Sequence, residues 1–145
     1  MKVKEILGKK SREVITILSD KSLLDASKLL TRHNIGALIV VNKKNEPVGI
    51  LSERDIVRNI AERSVSALDT AIETAMTKDI IIGFPEDALS DVSSTMTNRR
   101  IRHLPIVEDK DLIGMISIGD IVKAQLDHAE HEAHNLRQYI TGGYS

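Results

Sequence analysis

The chain states one pattern twice. With residues 14–44 set beside residues 80–110, an offset of 66, Leu23 meets Leu89, Asp25 meets Asp91, Ser27 meets Ser93 and Thr31 meets Thr97. Ile35 then meets Ile101, Leu38 meets Leu104 and Val41 meets Val107. Past the following loop the offset becomes 65, and GILSERDIV at 49–57 meets GMISIGDIV at 114–122. An internal repeat constrains a fold more than any local motif does. Each copy must reach the same local structure, and their apolar faces must be buried together.

Each copy reads strand, helix, strand, strand, helix. The runs VITIL (14–18) and IIIGF (80–84) are β-branched and too short for a helix. In the first copy Ser22 and Asp25 have capping-box spacing. Leu23, Ala26, Leu29 and Leu30 form an apolar stripe behind them, and Asn34 stands where a left-handed cap would close the helix. In the second copy Pro85 and Asp87 are expected to open the helix, which Leu89, Val92 and Met96 line. Two strands follow in each copy, joined by the hairpin-like loops NKKNEP and EDKD. The second helices start at Ser52 and Ser117, and short helical lead-ins, VKEIL (3–7) and IETAM (72–76), precede the units. The expected class is mixed α/β (α+β): a first unit over 1–66, a second over 67–125, and a helical extension with a flexible end over 126–145.

With 145 residues, 41% of them hydrophobic and 28% charged, the chain can bury a core without disulfides. It has no cysteine, which excludes a thiol nucleophile and any cysteine-based metal site and fits a reducing cytoplasm. No apolar stretch reaches membrane-spanning length, and MKVKEILGKK lacks the apolar core of a signal peptide. The expectation is a cytoplasmic protein with no membrane contact. A net charge of −1 argues against general attraction to nucleic acid, and Phe84, Tyr139 and Tyr144 are too few for base stacking. No nucleophile–base pair and no phosphate loop of the P-loop type is present, so no enzymatic activity is expected.

The chemistry concentrates where the last strand of each copy meets its second helix, at Ser52-x-x-Asp55 and Ser117-x-x-Asp120. Ser-x-x-Asp is in the first place a helix cap. The same geometry also suits a nucleotide. A helix N-terminus offers N–H groups to phosphate, aspartate accepts hydrogen bonds from a ribose diol, and serine can donate to a phosphate oxygen. Gly119 adds a backbone that a ligand can approach closely.

The element order, the paired strand–Ser-x-x-Asp–helix junctions and the wording IRHLPIV followed by GMIS resemble the CBS domain, two of which in tandem make a Bateman module. The resemblance covers nearly all of residues 1–125. It implies a pseudo-twofold pair of motifs that senses an adenosine-containing ligand in the cleft between them, without a catalytic cofactor. AMP is the expected ligand, with ADP, ATP, NAD and S-adenosylmethionine as alternatives. It also implies a homodimer and a regulated protein that the sequence does not name. Carried over, one site combines Ser117, Gly119 and Asp120 with Thr16, Ile35, Gly36 and Ala37. The other combines Ser52, Arg54 and Asp55 with Ile82, Ile101, Arg102 and His103, the last two being the basic pair that phosphates from either site would face. A scaffold with empty clefts is the competing reading.

After the second junction the helix continues. Val122, Leu126, Ala129, Ala133, Leu136 and Ile140 recur at spacings of 4, 3, 4, 3 and 4, a heptad seam that docks on the chain's own body or on a second copy. His128, His131 and His134 share this helix with Asp127, Glu130 and Glu132, but the order His-Glu-Ala-His is not a metalloprotease motif. A solvated helix face is expected there, with no metal.

Overall fold

The structure is a computed structural model that describes residues 1–8 and 14–141, with side-chain surroundings as far as Arg137. The expected flexible end at 142–145 lies outside the described residues, as does the setting of the Ile140 side chain.

Helix α1 (Val3–Leu7) comes first. The first copy then contributes strand β1 (Thr16–Leu18), α2 (Leu23–His33), β2 (Ala37–Val41), β3 (Pro47–Ser52) and α3 (Glu53–Arg63). Two 3-10 turns, Val65–Asp69 and Ile72–Thr74, lead into the second copy. That copy contributes α4 (Leu89–Arg99), β4 (His103–Glu108), β5 (Asp111–Ser117) and the long α5 (Ile118–Thr141). In the first copy β1 runs parallel to β2, and β2 antiparallel to β3. In the second, β4 and β5 form an antiparallel pair. The helix signals of the first copy act as read. Ser22 and Asp25 close a capping box, and Asn34 takes the left-handed conformation at φ 52°.

The second copy departs from its sequence pattern at IIIGF (80–84), which makes no strand. It touches β4 at one parallel bridge, Gly83 to Ile106. The Gly83 N–H donates to the Pro105 carbonyl and the Val107 N–H to the Gly83 carbonyl, both at 2.9 Å. The next rungs of a parallel ladder would need the N–H groups of residues 85 and 105, and both residues are proline. In the first copy residue 19 matches residue 85, and there the Ser19 N–H does donate to the Val41 carbonyl at 3.3 Å. Nor does Asp87 cap α4. Its carboxylate instead accepts the Phe84 N–H at 2.9 Å, and α4 starts at Leu89 after an Ala88 that has no capping side chain. The Leu89 N–H donates to the Met1 carbonyl at 2.9 Å, as its counterpart Leu23 donates to the Thr70 carbonyl at 3.0 Å.

Those last contacts belong to an exchange. The core of the first copy gathers Ile17, Leu23, Leu30, Leu38, Leu51 and Ile56, and it is completed by Ile72 from the second lead-in. The core of the second gathers Leu89, Met96, Leu104, Ile106, Ile116 and Ile121, and it is completed by Val3 and Ile6 from α1. Each lead-in therefore packs on the other copy. The matched glycines Gly49 and Gly114 mark where they cross. A Cβ on Gly114 would stand 2.7 Å from Leu7 Cδ2, and one on Gly49 would stand 2.5 Å from Met76 Sδ.

Glu86 fastens α1 from outside, with its two carboxylate oxygens 2.7 Å from Lys2 Nζ and 2.8 Å from Lys4 Nζ. Hydrogen bonds from these ammonium groups hold the Glu86 carboxyl down at about 2, against an ordinary 4.5. A carboxyl with a lower pKa folded than unfolded adds stability that is complete above pH 4.5 and lost as pH falls toward 2. Glu86→Gln is therefore expected to flatten the fall in stability over that interval, as read by denaturant midpoints at successive pH values. An unchanged slope would mean that the pair is too solvated to matter.

Candidate functional site between the two copies

At the first junction the Ser52 N–H donates to Asp55 Oδ2 at 2.9 Å, and the Asp55 N–H donates to Ser52 Oγ at 3.3 Å. At the second the Ser117 N–H donates to Asp120 Oδ2 at 2.8 Å, and the Asp120 N–H donates to Ser117 Oγ at 3.1 Å. Both pairs thus close capping boxes, which places each serine hydroxyl and each carboxylate at a helix N-terminus. Asp55 is buried, and its second oxygen lies 3.5 Å from Arg58 Nη1. Asp120 is half-buried.

The strand register decides what stands beside each cap. Ala37 pairs with Ser52, and the Gly36 carbonyl accepts the Glu53 N–H at 3.0 Å. His103 pairs with Ser117, and the Arg102 carbonyl accepts the Ile118 N–H at 2.9 Å. The basic pair therefore lies beside the Ser117–Asp120 junction of its own copy. Arg102, expected on the strand, sits one residue before it, with an exposed side chain. Arg54 lies on the outer face of α3 with Glu53, Val57 and Arg58. Ile101 packs on the second core, and Ile82 is partly exposed.

Two glycines at these junctions are not demanded by the fold. A Cβ on Gly36 would meet nothing nearer than Glu53 Oε1 at 3.7 Å, and one on Gly119 nothing nearer than Ser117 Oγ at 3.6 Å. Neither takes the left-handed backbone that favours glycine. A Cβ at either place would make an ordinary contact, so glycine is not required for packing and leaves the backbone of each junction without a side chain over it.

Between the copies lies a cleft of about 700 Å3, within the range of small-ligand sites. The first copy supplies Ile15, Ile35 and Ala37 to its wall, and the second supplies Leu112, Ile113 and Met115 from β5. Lys4 and Leu7 of the exchanged α1 and the Glu86 beside them complete it. Of the residues expected from the sequence, Ile35 and Ala37 line this cleft, whereas Thr16, Gly36, Ser117, Gly119, Asp120, Arg102 and His103 do not, and neither do Ser52, Arg54, Asp55, Ile82 and Ile101. The β5 and α1 residues were missed. One signal for them was present: in VKEIL, Val3 and Ile6 form one face while Lys4 and Leu7 form another, so this segment serves two surroundings.

A family model described as CBS domain matches residues 3–62 and again residues 71–127. The chain belongs to the CBS domain family. Its two matches are a tandem pair, and the pair is a regulatory module. The CBS domain-containing protein CBSX3 of Arabidopsis thaliana, described as mitochondrial, is 39% identical over 130 residues. That alignment takes in 87% of this chain and 63% of the plant protein, so the chain spans less than two thirds of that relative. The crystal structure of the CBS-domain containing protein ATU1752 from Agrobacterium tumefaciens superimposes with a TM-score of 0.81 at 36% identity, covering 86% of this chain and 92% of that one. The CBS domain pair of protein MJ0100, solved with 5-methylthioadenosine and S-adenosyl-L-methionine, gives a TM-score of 0.78 at 29% identity, covering 88% and 98%. The exchange of lead-ins means that each CBS match contains a segment that packs in the other motif's core. Among the described residues, no group of three His, Cys, Asp or Glu side chains is placed to hold a metal ion. No helix there is long and apolar enough to cross a membrane.

Proposed function

We propose that this CBS pair is a non-catalytic sensor that takes an adenosine-containing ligand, AMP first, in the cleft between its motifs. The observation that carries the reading is the cleft of about 700 Å3, walled by both motifs and largely apolar. The bare backbone at Gly36 and Gly119 supports it, because no side chain of these two residues stands between a ligand and the helix N-termini at Ser52 and Ser117. Asp120 would hold the ribose hydroxyls, and Arg102 and His103 beside it would meet the phosphate. S-adenosylmethionine or methylthioadenosine is the second reading, supported by the ligands of the MJ0100 pair. The cytoplasm is the proposed compartment, on the cysteine-free sequence. A homodimer is the proposed assembly. Val57 and Val122, which match at the repeat offset of 65, are 65% and 48% exposed on α3 and α5.

Calorimetric titration tests the ligand. Asp120→Ala is expected to weaken AMP by about 1.5–3 kcal/mol, a tenfold to hundredfold loss, because a charge-assisted pair of hydrogen bonds to ribose disappears. Arg102→Ala should weaken AMP far more than adenosine, since it removes a phosphate partner. A helix cap alone would cost about 1 kcal/mol of stability and leave affinity unchanged. A melting temperature that stays flat across millimolar AMP, ATP, NAD, methylthioadenosine and S-adenosylmethionine would replace the sensor by a scaffold with empty clefts.

A further inference from the structure

The matched second helices differ in length. Helix α3 ends at Arg63, whereas α5 runs on to Thr141. Ile121 is buried and Ala124 packs on the second core, but every side chain from Gln125 to Arg137 is exposed. Most helical stability in proteins comes from packing of an apolar face, so this exposed stretch would be stabilised by a packing partner. It carries the means for one. Val122, Leu126, Ala129, Ala133 and Leu136 form a stripe at spacings of 4, 3, 4 and 3, and Val122, Leu126 and Leu136 are 48%, 58% and 60% exposed. Among the described residues, nothing in the body of the chain covers it.

We propose that this stripe is the seam of a parallel, in-register, two-stranded coiled coil with a second copy of the chain. The proposal deepens the homodimer reading and rests on it. Charge selects both the partner and the orientation. With Leu126 and Ala133 at heptad position a and Val122, Ala129 and Leu136 at d, the g positions are Gln125 and Glu132, and the e positions are Lys123, Glu130 and Arg137. In a parallel pair g faces e of the other helix's next heptad. Glu132 of each copy then meets Arg137 of the other, and Gln125 meets Glu130. In an antiparallel pair covering the same length, e faces e and g faces g. Lys123 would then meet Arg137, Glu130 would meet Glu130 and Glu132 would meet Glu132, all like charges. The alanines at 129 and 133 let the helices approach closely midway. His128, His131 and His134 fall on the outer positions c, f and b; within one chain His128 Nε2 lies 3.1 Å from Glu132 Oε1, a carboxylate that also reaches Arg137 of the other copy in the parallel pair.

The chain has no native cysteine, which makes the test direct. In a parallel pair the two copies of residue 129 face each other. Ala129→Cys in the full chain is therefore expected to form a disulfide-linked dimer under mild oxidation. His131→Cys on the outer face should stay unlinked, and adding Leu126→Asp to Ala129→Cys should abolish the link. Leu126 is exposed in the single chain, so that change does not threaten the fold. Linkage only when Ala129→Cys is mixed with Ala133→Cys would show an antiparallel pair and overturn the proposal, as would equal linkage through His131→Cys. A dimeric mass by light scattering without any linkage would overturn the coiled coil and spare the homodimer. A monomeric mass at all concentrations would overturn both.

Discussion

Ile72→Ala is expected to destabilise the protein by about 2–5 kcal/mol, the usual cost of emptying a fully buried isoleucine site. Ile72 lies within the second CBS match, yet its side chain has no solvent exposure inside the first core, against Leu23, Leu38 and Leu51. Its backbone is committed to the same place, since its N–H donates to the Lys21 carbonyl at 2.8 Å. The damage should therefore appear first in the first copy. Denaturant unfolding would read the total loss. Native-state hydrogen exchange would read its location, with protection falling in β1, β2 and β3 before β4 and β5. Val65→Ala, at a 70% exposed position, should stay within about 0.5 kcal/mol. Protection lost first from β4 and β5 would mean that the lead-ins are not exchanged.

Gly49→Ala is expected to cost about 1–3 kcal/mol through overpacking, toward the upper end. The new methyl would stand 2.5 Å from Met76 Sδ and 2.9 Å from the Thr77 carbonyl oxygen. The sulfur can swing away, but the carbonyl is fixed. It accepts the Ile50 N–H at 3.0 Å while the Thr77 N–H donates to the Ile50 carbonyl at 2.9 Å, so relief would break a two-bond bridge. Gly114→Ala meets only the end of the Leu7 side chain and should cost less. Melting temperatures of the two variants, each with and without Met76→Ala or Leu7→Ala, separate the contributions. Full rescue of Gly49→Ala by Met76→Ala would show that the backbone yields after all.

Much of this was legible beforehand because the chain was written twice. Single instances of Ser-x-x-Asp or of an apolar run carry little information, but two at a constant offset identify elements. The caps at Ser22, Ser52 and Ser117 and the turn at Asn34 followed from local chemistry, which a few neighbouring residues decide. The failed strand at 80–84 was legible in principle. Pro85 and Pro105 occupy the two places whose N–H groups a parallel ladder needs, but that is visible only once the register with β4 is known. A β-branched run reports its preference for an extended backbone and says nothing of whether its partner can donate.

By itself, then, the sequence determined the repeat, the order of helices and strands apart from the strand read at 80–84, the family, and the serine–aspartate caps at the two second helices. Each of these depends on residues close together in the chain or on the constant offset between copies. Only the tertiary structure decided that α1 completes the second core and Ile72 the first, because burial depends on residues far apart in the chain. It also decided the cleft. The walls at Ile15, Ile35, Met115 and Leu7 come from four segments that no spacing rule connects, and they meet only through the packing of both copies and the exchanged helix.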